Sequence, residues 1–245
     1  MFKSGLSFTP QNALQPSAVG IEAMTSKYGK RSEIDVPTWI QFYDQSTSGR
    51  SLVETFVSQV FLTAHRARIE HFLPTLMALG NAAGRVSAAL GLRPAASGRL
   101  FLERYLDEPV EKVLAASAAS RIARDDLVEV GNFAVGVAGG GRWLITALTA
   151  YLQATERSWA VFTCGPVLQN AFHRLGIDLI DLGSADPGRL TPEELRQWGS
   201  YYESGPRVKA ANVSQSHAAL SLQLEKECAL SLLWLGAFQA GRLAA

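Results

Sequence analysis

Two side chains on one strand-like run are the first candidates for chemistry. In LVEVGNFAV (127–135), Glu129 and Asn132 stand among apolar residues. A carboxylate there can act as a general base, and burying it unpaired would be costly. Strict alternation sends the two side chains to opposite faces; a bulge at Gly131 would change that. Asn132 can hold a substrate carbonyl or close the bulge. Glu103 and Tyr105 in LFLERYLD form a second pair, with Arg104 a ready partner for Glu103. Cys164 in FTCGP precedes an expected helix start, where a thiolate is favoured, although a small buried thiol is the commoner use. Trp198, Tyr201 and Tyr202 in WGSYY are aromatic neighbours that can line a pocket or simply pack. His65 and His71 have no second ligand pair at metal spacing, so no metal is expected.

The strand of Glu129 runs into Gly139, Gly140 and Gly141, and a helix-like run follows. Glycines let the backbone approach an anion closely, and the first amides of a helix point at it. No Lys-Ser/Thr follows, so this is not a P-loop. Leu144 stands where a dinucleotide fingerprint needs its third glycine.

The elements that must position these groups can be read from periodicity. Val53, Phe56, Val57, Val60 and Phe61 recur at helical spacing near 51–67. Two apolar runs flank GNAAG and predict a β-hairpin. Leu100–Leu102 reads as a short strand. Asp107 reads as the cap of a helix with Pro109 in its first turn. The succession DLVEVGNFAV, GRWLITALTAYLQAT, WAVFTC, PVLQNAFHRLG, IDLIDLG reads β-α-β-α-β and implies parallel pairing through crossover helices. Thr191, Pro192 and Glu194 form a capping box. WGSYYESGPRVKAANV returns as a last strand. The tail from 214 is helical, with Leu220, Leu224 and Cys228 one turn apart. The expected organisation is a loosely structured arm with short ordered pieces over 1–50, a domain over 51–213 and a helical tail over 214–245.

Gly136-Val-Ala-Gly139-Gly-Gly141 resembles the pyrophosphate loop of the acyl-CoA-dependent N-acyltransferase (GNAT) superfamily. NAFHRLGI (170–177) resembles that superfamily's later helix, in which an Asn, loosely matched by Asn170, contacts the pantetheine arm. Over about 65–212, the segments FLPTLMALG, AALGLRPA, LFLERYLDEPVE, LVEVGNFA, WAVFTC, LQNAFHRLGIDLIDLGSADPGRL and WGSYYESGPRV are similar in fixed order to the bacterial thermostable hemolysin family. These resemblances imply an α/β (α+β) fold of GNAT type, with a mixed, mainly antiparallel sheet splayed near Gly131. They imply transfer of an acyl group, of fatty type, from acyl-CoA or the phosphopantetheine of an acyl-carrier protein to an amine or amino acid. Val135, Gly139, Gly140, Gly141, Arg142, Asn170 and His173 would contact the donor. Glu129, Asn132 and Glu103 would serve catalysis, and Tyr105, Thr163 and Cys164 would line the substrate. The sequence departs from the superfamily at two places. Gly136 replaces the polar loop opener, with Arg142 able to supply the charge. Phe172 replaces the tyrosine that protonates the leaving thiolate, and a phenyl ring donates no proton.

Composition narrows the alternatives. The chain has 245 residues with formal net charge +1, which gives no footprint for nucleic acid. Its 47% apolar and 18% charged residues describe an ordinary globular chain. Two cysteines make no disulfide framework. The opening MFKSGLSFTPQNALQPSAVG lacks the apolar core of a secretory signal, and ALSLLWLGAFQAG (229–241) is shorter than the roughly 20 residues a membrane span requires. A cytoplasmic location is therefore expected, with the tail packing on the domain or pairing two copies as a homodimer. Two rival readings remain: a membrane-active protein, suggested by the family name and the apolar tail, and a non-catalytic module that binds an acyl thioester.

Overall fold

The structure is a computed structural model that describes residues 36–224 and 228–244. Its centre is a seven-stranded mixed sheet in the order β1-β2-β3-β4-β5-β7-β6. The strands are β1 (Trp39–Tyr43), β2 (Thr75–Gly80), β3 (Val86–Pro94), β4 (Leu127–Val135), β5 (Trp159–Cys164), β6 (Ile180–Ser184) and β7 (Arg207–Asn212). The helices are α1 (Arg50–His65), α2 (Val110–Ala118), α3 (Gly140–Ala154), α4 (Pro166–Arg174), α5 (Pro192–Gln197), α6 (Val213–Leu224) and α7 (Cys228–Ala244).

Both faces of the central strands are covered, which explains their alanine content. Leu76 and Ala78 face α1, while Met77 and Leu79 face the opposite side. Small side chains let a helix come close to each face. The β2–β3 hairpin closes on Asn81, whose Oδ1 accepts from the amides of Ala83 and Arg85, both at 3.1 Å. Helix α1 buries Val53, Val57 and Phe61, one per turn.

Helix α3 is buried nearly all round because the sheet lies beneath it and α6 and α7 lie over it. Leu220, Leu233 and Ala237 from the tail join its core. A Cβ on Gly241 would lie 2.6 Å from the Tyr151 carbonyl oxygen, so the glycine sets the close approach of α7 to α3. That face of the tail is therefore used within the chain. No helix among the described residues is long and apolar enough to cross a membrane.

Several elements differ from the sequence expectations. Strand β1 is an ordered piece of the segment read as an arm, but it pairs antiparallel with β2 and so belongs to the sheet; residues 1–35 of the arm lie outside the described residues, as do the side chains of Leu224 and Cys228. The helical succession is right, but only β4 and β5 pair in parallel. Strand β7 inserts between β5 and β6, pairing antiparallel with both, so β6 forms the edge. Leu100–Leu102 is not a strand. The chain turns there into a 3-10 turn at 102–105, held by amide bonds to buried carboxylates. Asp107 does not cap α2. It pairs with Arg189 at 2.6 Å, and the first amide of α2, on Val110, donates to Glu103 instead. The Thr191–Glu194 capping box forms as expected.

Candidate functional site

The site begins where the central sheet opens. Strands β4 and β5 pair from Leu127↔Trp159 to Val130↔Phe162, and both then continue without pairing to each other. The sequence cause is a bulge in β4. Gly91 of β3 faces Gly131 and Ala89 faces Ala134, so Leu90 alone opposes Asn132 and Phe133. Asn132 takes φ 50°, and a bulge of this kind bends its strand. The splay thus falls where the sequence placed it, with the strained residue one position later.

The bulge also settles the facing of the two polar residues. The Asn132 Oδ1 accepts from the Leu73 amide at 2.9 Å, and its Nδ2 donates to the His71 carbonyl at 3.2 Å. Leu73 lies over Gly91 and Gly131, 2.8 and 3.0 Å from where their Cβ atoms would be. Gly131 shares the strand face of Glu129, so Asn132 and Glu129 end on the same side of the sheet. The side-chain amide of Asn132 is occupied in fixing the 66–74 loop over this face.

Glu129 is buried, with Oε1 accepting from the Leu102 amide at 2.9 Å and Oε2 from the Phe101 amide at 3.2 Å. Burial raises its pKa, partly offset by those two amides and by Arg93 across the ladder. Glu103 lies nearby in a different state. Its oxygens accept from the amides of Leu100 and Val110 and from both terminal nitrogens of Arg124. Burial alone would push its carboxyl up, but the Arg124 fork and the two amides outweigh that and hold it at about 2. Those four bonds fill the acceptor positions of a carboxylate, which leaves none to receive a substrate proton. Tyr105 is buried, its hydroxyl against that of Tyr202, and burial pushes it up to about 12.

On the β5 side, Thr163 is half-buried and lies beyond the last β4–β5 pair; its carbonyl accepts from the Tyr201 hydroxyl at 3.4 Å. Trp198 packs among Phe101, Phe61, Tyr201 and Tyr202, extending an aromatic wall from Glu129 toward Thr163. Cys164 points into the other face's core. Burial pushes its thiol up to about 12, so desolvation overrides whatever the start of α4 offers a thiolate.

The glycine turn closes the far end of β4. Gly139 caps α3 in the left-handed region, φ 80°. A Cβ on Gly140 would lie 2.7 Å from Val135, so that glycine is required for packing. A Cβ on Gly141 would lie only in ordinary contact range of Val135, at 4.0 Å, and Arg142 is half-buried in the first turn. On α4, Asn170 and His173 are exposed, and neither side chain makes a hydrogen bond among the described residues. Phe172 is buried and stacks on Phe162 at 4.9 Å. Glu129, Asn132, Glu103, Tyr105 and Thr163 therefore share one face of the sheet, while Gly139 to Arg142 form the start of α3 and Asn170 and His173 lie on α4.

Sequence reasoning passed over Arg93, Arg124 and Gln169. Arg124 fastens Glu103, and Gln169 donates to the Cys164 carbonyl at 3.1 Å. Arg93 stands directly opposite Glu129 in the β3–β4 register. An isolated arginine ending the apolar run SAALGL was the available signal.

Comparison with known proteins agrees with this architecture. The thermostable hemolysin family model matches residues 43–217. No curated protein matches by sequence. Among solved structures, BjaI, a CoA-dependent acyl-homoserine lactone synthase solved with MTA, superposes with TM-score 0.52 at 14% identity, over 80% of this chain and 98% of its own. TofI in an apo form gives TM-score 0.52 at 14% identity, over 75% and 96%. The AHL synthase LasI gives 0.51 at 13% identity, over 74% and 93%. The chain shares their fold, a mixed α/β fold of GNAT type.

Proposed function

The chain belongs to the thermostable hemolysin family, and from that premise we propose that it is an acyltransferase, moving an acyl group from a CoA or carrier-protein thioester to an amine or amino acid. One observation carries the reading. The β4–β5 pairing stops at Val130↔Phe162 while both strands run on, and a buried carboxylate, Glu129, whose pKa burial raises, stands at the root of that opening. The pantetheine arm would enter between the diverging strands, and the start of α3, from Gly139 to Arg142, would face the donor's phosphates. BjaI, whose fold the chain shares, is described as CoA-dependent.

In this scheme the acceptor nitrogen attacks the thioester carbonyl carbon from the face of Glu129. Glu129 takes the proton that nitrogen loses as the N–C bond forms. Backbone amides freed by the splay stabilise the oxyanion. Collapse breaks the C–S bond, and the thiolate takes its proton from solvent. Phe172 occupies the superfamily's tyrosine position and is sealed against Phe162, so it supplies packing only. Glu103 and Asn132 support the site by fixing the backbone around Glu129. The donor pool would be cytoplasmic.

Calorimetric titration with CoA, acyl-CoA of several chain lengths and acyl-carrier protein tests the reading. Saturable binding of one donor, abolished by Gly139→Asp, is expected, because the change strains the turn and sets a negative charge where phosphate would lie. Binding without turnover across an amine panel would favour the non-catalytic module. No binding by any donor would defeat the reading and return attention to membrane activity.

A further inference from the structure

Among the described residues, only two buried side-chain polar atoms lack a hydrogen-bond partner, and one is Nε of Arg93. The other, Thr146 Oγ1, lies within α3. A buried guanidinium nitrogen without a partner is costly, and such an atom in a folded protein calls for an explanation. Arg93 sits on β3 opposite Glu129 of β4. Its neighbour Leu92 packs in the α3-side core, so alternation places Arg93 on the face of Glu129 and Gly131. Its charge acts on Glu129, yet the two make no ion pair within 4 Å. The neighbouring carboxylates Glu103 and Glu111 are already matched, both with Arg124. This face therefore sets a guanidinium whose Nε has no partner one ladder step from a buried carboxylate that could receive an ammonium or amine.

We propose that Arg93 and Glu129 together read an α-amino acid acceptor, Arg93 holding its carboxylate and Glu129 its amine. This rests on the acyl-transfer reading and narrows its acceptor from amines in general to amino acids. The two groups of such an acceptor lie on one carbon, a span that fits side chains facing each other across neighbouring strands. Arginine suits the task because its planar fork matches a carboxylate. The carboxylate would also satisfy the orphaned Nε. No bond changes at Arg93, which acts by holding the acceptor with its nitrogen toward Glu129 and the splay.

The experiment compares acylation of matched acceptors by the full-length protein: leucine, leucine methyl ester and isoamylamine, and the equivalent set from phenylalanine. Wild type, Arg93→Gln and Arg93→Lys are assayed by thiol release and product mass. The free amino acid should be preferred over its ester and amine by about tenfold or more in kcat/KM, the scale of one charge-assisted contact. Arg93→Gln should collapse that ratio, mainly by raising KM for the amino acid, and Arg93→Lys should restore part of it. A variant that merely loosened the fold would slow all acceptors alike and leave the ratio unchanged. Equal use of amino acid and amine by wild type, or a ratio untouched by Arg93→Gln, overturns the proposal while acyl transfer stands. If no thioester is bound or consumed, acyl transfer itself falls, and this inference falls with it.

Discussion

Replacing Glu103 by glutamine separates a structural carboxylate from a catalytic one, and the structure sets the size of the effect. Glu103 is 6% exposed and carries four hydrogen bonds, two of them to Arg124. Its carboxyl sits at about 2 against an ordinary 4.5. By linkage, a gap of that size corresponds to about 3 kcal/mol at neutral pH. Arg124 is 27% exposed, so solvent screening trims the figure to about 2–3 kcal/mol. The folded-state pKa is depressed, so this contribution is complete above 4.5 and is lost as the pH falls toward 2. Glu103→Gln keeps the shape but turns an amide toward the guanidinium. Urea unfolding should show the variant weaker by about 2–3 kcal/mol at pH 7, with the gap shrinking by roughly half or more at pH 3. Turnover per folded molecule should fall by less than about tenfold, whereas loss of a general base costs about 10²–10⁴-fold. A variant as stable as wild type, a gap independent of pH, or a fall in turnover on the general-base scale would refute the assignment.

Three further outcomes follow from the same geometry. Activity should rise with pH through an inflection above that of an ordinary glutamate, because burial raises Glu129 and only its deprotonated form accepts a proton; Glu129→Gln should lower kcat by about 10²-fold or more and remove that inflection. Iodoacetamide at pH 8 should leave Cys164 unmodified in the native protein, as read by peptide mass, since its thiol is buried and pushed up to about 12; rapid labelling would contradict its placement in the core. Gly199→Ala should lower the urea midpoint by an amount equivalent to about 3 kcal/mol or more, because φ is 54° and the new Cβ would lie 2.2 Å from the His65 carbonyl oxygen.

The elements that carry the site were readable because their signals are local. The hairpin turn lies in GNAAG, the Thr191–Glu194 box declares a helix start, and alternation or helical spacing marks β4, α3, β5 and α4. Leu100–Leu102 misled because three apolar residues in a row satisfy a strand and a buried 3-10 turn equally. Asp107 misled because a good capping residue sat beside a helix whose first amide is taken by Glu103, from seven residues away. Of the carboxylates, the sequence offered Glu129 first and Glu103 second, both as candidates for catalysis. Only the fold separates them, giving one a forked arginine and four bonds and the other two amides and an arginine that does not reach it.

By itself the sequence determined most of the elements from β2 to α7 and their order and the glycine turn opening α3, consequences of side-chain size, backbone freedom and periodicity along the chain; the family pattern was legible as a resemblance of segments in fixed order. Tertiary structure decided what depends on neighbours distant in sequence. It inserted β7 between β5 and β6, since strand order is chosen by which faces bury together. It turned Asn132 to the side of Glu129, since the bulge is defined by the partner strand. It also placed Arg93 across from Glu129 with a nitrogen unused, because burial and hydrogen bonding are properties of the packed molecule, and no spacing in the sequence encodes them.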